Sequence, residues 1–123
     1  MDENKTILIV DDTETNIDIL VELLGDDYDI MVAMSGIECL ETAEIQRPDM
    51  ILLDVMMPGM DGYECCRKIK EKKDFKAIPV IFITAKSEID DKLDGYEAGG
   101  VDYITKPIDP EFTMSIIKKH LEK

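Results

Sequence analysis

Five short apolar runs, each followed by a stretch with helical spacing, constrain this chain more than any other feature. The runs occupy residues 6–10, 28–34, 50–53, 78–84 and 101–105. Each is nearly continuous in apolar character, which suits strands of a parallel sheet covered by helices on both faces. Between them apolar and amphipathic side chains recur at helical intervals: Ile17, Leu20, Val21 and Leu24; Ile37, Leu40 and Ile45; Tyr63, Cys66, Ile69 and Lys70; Ile89, Leu93 and Tyr96; and Phe112, Ile116, Ile117 and Leu121. Asp109–Pro110 reads as an N-cap with proline in the first helical position, and Gly25, Gly36, Gly62, Gly99 and Gly100 fall at the joints. The pattern predicts an α/β fold, a doubly wound (βα)5 three-layer sandwich around a parallel five-stranded sheet. With 123 residues and no linker-like tract, residues 1–123 are expected to form one domain, with no output domain within them.

Charge narrows the function classes. The net charge is −14, and its distribution is uneven: residues 1–62 hold 16 acids and 2 bases (Lys5 and Arg47), whereas residues 63–123 hold 12 of each. Such a surface repels phosphate backbones and anionic lipid, so direct nucleic-acid or membrane binding is not expected; cations and basic partners are favoured. No apolar run approaches the roughly 18 residues of a membrane helix. The opening MDENK lacks the basic start of a secretory signal, which predicts a cytoplasmic location. The three cysteines, two of them adjacent, match neither a disulfide framework nor a zinc-site spacing, and read as small packing residues on helices.

In a doubly wound sheet, ligands sit beyond the carboxyl ends of the strands. There the residue types are wrong for packing. The first run leads into Asp11 and Asp12, the third into Asp54, the fourth ends on Thr84 and the fifth leads into Lys106–Pro107. Two carboxylates about 5 Å apart repel by roughly 3 kcal/mol at an effective dielectric near 20, so a cation belongs to the design. Hard oxygen ligands suit Mg2+. A lysine and a hydroxyl beside such an ion are what a transferring phosphoryl group requires, with Asp54 as candidate nucleophile.

The segments ILIVDD (7–12), LLDVMMPGMDGYE (52–64), PVIFITA (79–85) and DYITKP (102–107), in that order, resemble the receiver domain of response regulators in two-component signalling. The resemblance covers essentially the whole chain. It implies a flavodoxin-like sheet of strand order 2-1-3-4-5 and a cis Lys106–Pro107 bond. It further implies that Asp54 accepts the phosphoryl group, that Asp11, Asp12 and Asp54 bind Mg2+ with the Met56 carbonyl, and that Thr84 and Lys106 contact phosphoryl oxygens. Thr84 and Tyr103 would then form the switch that remodels the face built from roughly residues 89–121.

The donor implied is a sensor histidine kinase or a histidine phosphotransfer protein. The chain would be a monomer or a phosphorylation-dependent dimer, and no enzyme beyond its own phosphorylation and dephosphorylation. The output would lie in a partner or in an attached domain. Glu14, Asp18 and Glu22, repeating along the first helix, read as a solvated face or as a docking face for the donor. His120 reads as a helix-end residue, the lysines 68, 70, 72 and 73 as a solvated helix end, and Met56, Met57 and Met60 as loop packing. An aspartate-nucleophile phosphatase of the haloacid dehalogenase type would need an acid two residues after its nucleophile, and Thr13 stands there after Asp11. A nucleotide or flavin binder would need a phosphate loop where DDTETN stands.

Overall fold

The computed structural model describes residues 4–85 and 92–121, apart from the side chains of 92–94. Strands and helices alternate throughout: β1 (Thr6–Val10), α1 (Glu14–Leu24), β2 (Asp29–Ala33), α2 (Gly36–Ile45), β3 (Met50–Asp54), α3 (Gly62–Glu71), β4 (Val80–Ala85), α4 (Lys92–Ala98), β5 (Asp102–Lys106) and α5 (Pro110–Leu121), with a 3-10 turn at Lys73–Phe75. The sheet is parallel throughout, in the order β2-β1-β3-β4-β5. The expected Ile89 lies outside the described residues, as does the side chain of Leu93.

The continuous apolar runs acquire a physical reason here. Alternate strand residues point to opposite faces, and both faces are covered. Ile7, Ile9, Leu52, Ile81, Ile83 and Ile104 pack on α1 and α5 through Leu20, Leu24 and Ile117. Leu8, Val10, Ile51, Leu53, Val80 and Phe82 pack on the other side with Cys39, Cys65, Cys66, Ile69 and Ala98 of α2, α3 and α4. All three cysteines are buried thiols, as packing residues should be.

Some details differ from the sequence reading. On α2 the inward residues are Gly36, Cys39 and Ala43, whereas Ile37 is 62% and Ile45 86% exposed; the small residues form the face that meets the sheet. β2 is an edge strand, so its run is only partly covered, with Val32 exposed. Val21, Tyr96 and Phe112 are exposed as well. Met57 is buried and Met60 packs on the core, but Met56 is exposed. His120 is more than a helix-end residue, because its Nε2 lies 2.9 Å from Asp102 Oδ2. Lys70 does not belong to a solvated end: its ammonium donates to the carbonyls of Lys76 and Ile78. Lys72 is paired with Glu44. Among the described residues, no helix is long and apolar enough to cross a membrane.

Candidate functional site

Strand register assembles the site. Val10 pairs with Leu53 and Asp54 with Ile83, so Asp11, Asp54 and Thr84 stand side by side at the carboxyl ends of three adjacent strands. Ala85 pairs with Lys106, which brings the lysine to the same edge from β5. Carboxylate oxygens of Asp11, Asp12 and Asp54 lie within 4.8 Å of one another. Asp11 is 1% and Asp54 3% exposed, and Asp12 stands at the exposed rim. Thr84 is buried as well.

Lys106 Nζ approaches Asp54 Oδ1 at 3.4 Å and Asp11 Oδ2 at 3.6 Å. One ammonium against three carboxylates leaves an excess of negative charge, and the Asp54 carboxyl registers it. Its pKa is pushed up to about 6 from 3.8, first by burial and then by the Asp11 charge, with Lys106 and the Met56 backbone N–H opposing. Asp11 Oδ1 accepts the Thr13 N–H at 2.9 Å. Its other oxygen, Oδ2, is buried without a hydrogen-bond donor among the described residues. The cation beside it, Lys106, is shared with Asp54, so the buried negative charge is only partly offset, and the all-oxygen donor set suits a hard divalent ion.

The loop after β3 is held tightly against Asp54. Gly62 N–H donates to Val55 O at 2.9 Å, and Asp61 caps α3 by accepting the Glu64 N–H at 2.8 Å. Sequence reasoning placed Gly62 only as a joint. A Cβ there would lie 2.4 Å from the Asp54 carbonyl oxygen and 2.8 Å from Val55 Cα, both backbone atoms that cannot step aside. Gly62→Ala is therefore expected to destabilise the fold by about 1–3 kcal/mol, through strain of the overpacking kind. Urea denaturation checks this, and wild-type stability in the mutant would refute the close approach.

Tyr103, three residues before Lys106 on β5, is 4% exposed and points into the α3–α4 side of the core. Its hydroxyl shares a 2.8 Å hydrogen bond with Tyr63, and its ring packs against Phe82 and Tyr96 at centroid distances of 5.4 and 5.9 Å. Burial and the Tyr63 hydroxyl raise its pKa. The sequence showed Tyr63 only as a helix-face residue; the partnership follows from tertiary packing. The cis Lys106–Pro107 bond is present. Glu14, Asp18 and Glu22 are all exposed on α1.

Residues 7–118 match the response regulator receiver domain family. The response regulator PleD of Caulobacter vibrioides is 47% identical over 104 residues, covering 84% of this chain and 23% of that protein. The chain spans about a quarter to a half of the length of the curated relatives it matches. The chemotaxis protein CheY4 of Vibrio cholerae superposes with a TM-score of 0.91 at 28% identity, over 97% of this chain and 100% of that one. The receiver domain of the sensor histidine kinase PA1611 of Pseudomonas aeruginosa, which has a magnesium ion coordinated in its active-site cleft, superposes with a TM-score of 0.89 at 29% identity, over 98% of this chain and 100% of that one. Strand order, acidic edge and family match agree, and this chain belongs to the response regulator receiver domain family.

Proposed function

We propose that this chain is a phosphorylation-dependent switch that accepts a phosphoryl group on Asp54 from the phosphohistidine of a sensor histidine kinase or a histidine phosphotransfer protein. The observation that carries the reading is the pair of buried carboxylates, Asp11 and Asp54, flanking one ammonium, with Asp12 at the rim. Asp11, Asp12 and Asp54, with the Met56 carbonyl, would hold Mg2+, and the buried Asp11 Oδ2, which accepts no hydrogen bond among the described residues, supports that assignment. The magnesium in the Pseudomonas receiver domain supports it too. When bound, the ion neutralises charge on the phosphoryl oxygens.

The chain's own residues do the rest. With a pKa near 6, Asp54 is mostly ionised at neutral pH and available as a nucleophile. Its oxygen bonds to phosphorus as the bond to the donor imidazole nitrogen breaks, and the imidazole leaves. Lys106, already between the two carboxylates, faces the charge that arrives. Thr84, on the strand beside Asp54, would donate its hydroxyl to a phosphoryl oxygen, and Tyr103 would couple the event to α3 and α4 through its contacts with Tyr63 and Tyr96. The chemistry acts on the chain itself, so its output is a conformational population and not a released product. The acidic surface makes a protein partner or an attached domain the recipient of that output.

Incubation with acetyl phosphate and Mg2+ tests the reading. One phosphoryl group is expected, mapping to Asp54 by peptide mass spectrometry. A group that maps elsewhere, or none at all, overturns the assignment.

A further inference from the structure

An open cleft of about 590 Å3 lies at the end of the sheet opposite the carboxylate edge, where Pro79 leads into β4 and Val101 into β5. That volume lies within the range of about 300–1,000 Å3 typical of small-molecule sites. Its walls are apolar at Ile78, Pro79 and Val101 and basic at Lys70, Lys76 and His120.

Lys70 is the unusual wall. Its stem crosses Gly99, which has φ +108° and where a Cβ would lie 2.7 Å from Lys70 Cγ. The half-buried ammonium donates to Lys76 O at 3.0 Å and to Ile78 O, both uncharged acceptors. No carboxylate pairs with it among the described residues, and the only carboxylate in contact with His120, Asp102, is also approached by Lys119 at 3.8 Å. Burial, with Arg47 adding like charge, holds the Lys70 ammonium below the ordinary lysine range. The neighbouring Cys66 thiol supplies no anion, since burial pushes its pKa up to about 12. A partly buried charge without a counter-charge is costly, and an anion entering the cavity would offset that cost.

We infer that this cavity binds a small molecule bearing an oxyanion group, phosphate or carboxylate, held chiefly by Lys70 with help from Lys76 and with its apolar part against Ile78, Pro79 and Val101. The site is separate from the carboxylate edge and independent of phosphorylation. A net charge of −14 disfavours diffuse association of anions, so binding at physiological salt requires a local site of this kind.

The test uses Asp54→Asn protein without Mg2+ at physiological salt, so that phosphoryl chemistry at Asp54 cannot contribute. ATP and citrate are titrated separately while backbone amide shifts are followed. At least one probe is expected to shift the amides of residues 76–78 and 99–101; ATP alone identifies a phosphate ligand, citrate alone a carboxylate, and both a general oxyanion site. Lys70→Met keeps the apolar stem and is expected to weaken binding by about tenfold or more, the scale of a charge-assisted contact. Lys76→Gln, at an exposed position, should weaken it less. No shift with either probe, or undiminished affinity in Lys70→Met, overturns the inference. Should Lys70→Met fail to fold, undiminished affinity in Lys76→Gln does the same.

Discussion

Asp54→Asn is expected to lose phosphoryl incorporation altogether and yet, without metal at neutral pH, to be more stable than the wild type. The loss follows from the nucleophile, since an amide cannot form the acyl phosphate. The gain follows from linkage. A carboxyl whose pKa is about 6 in the folded protein and 3.8 when unfolded binds its proton more tightly in the folded state. Its favourable contribution is fully present below 3.8 and is lost as pH rises through about 6. At neutral pH and above, ionised Asp54 therefore costs the fold on the order of 3 kcal/mol. Asparagine removes that cost at similar volume, and the melting temperature should rise by roughly 5–15 °C at pH 7.5 in chelator.

Between pH 4 and 7 the wild type should lose stability where the mutant stays flatter. Millimolar Mg2+ should reverse the ranking by stabilising the wild type, and it should do little for the mutant. Thermal melts across pH, with and without Mg2+, check all three statements. A mutant less stable than wild type in chelator at pH 7.5 would contradict the strained carboxylate pair.

That strain was legible in the sequence before any geometry, because Asp11, Asp12 and Asp54 each follow a strand-like run and parallel strands deliver their ends to one edge. Layering was legible for a related reason, since runs apolar at every position have no place except between two helix layers, whereas strand order came only with the resemblance to receiver domains. Small residues defeated the same logic on α2. Ile37 and Ile45 carry the visible periodicity, yet Gly36, Cys39 and Ala43, one step around the helix, face the sheet. The tyrosine cluster stayed hidden because Tyr63 and Tyr103 meet only after α3 is laid over β4 and β5, and Gly95 gives no side-chain signal. Its role is to leave room: a Cβ there would come 2.2 Å from the Tyr103 hydroxyl. Lys70 was hidden for the opposite reason. Within KIKEKK it resembles its solvated neighbours, and only the fold carries its ammonium to two backbone carbonyls.

Lys106→Ala should separate phosphorylation from its consequence. Lys106 is the only cation contacting Asp11 and Asp54 among the described residues, and it shares β5 with Tyr103. A phosphoryl group on Asp54 that engages this ammonium acts on the strand that carries the tyrosine. Without the lysine, two buried carboxylates lose their counter-ion, so the metal-free mutant should be less stable at neutral pH and regain stability with Mg2+. Phosphoryl incorporation from acetyl phosphate should persist, more slowly, because Asp54 and the carboxylates assigned to the metal remain. The rearrangement should not persist.

The chain has no tryptophan and four tyrosines, three of which (Tyr63, Tyr96 and Tyr103) form the cluster, so intrinsic tyrosine emission samples it. Wild-type emission should change on phosphorylation, and the phosphorylated mutant should stay near its unphosphorylated value. Any partner whose affinity phosphorylation alters should lose about tenfold of that effect, the middle of the usual range for coupling between sites. An unchanged tyrosine response in fully phosphorylated Lys106→Ala would remove the lysine from the switch and leave Thr84 as the remaining link from Asp54 to the β4–β5 side of the sheet.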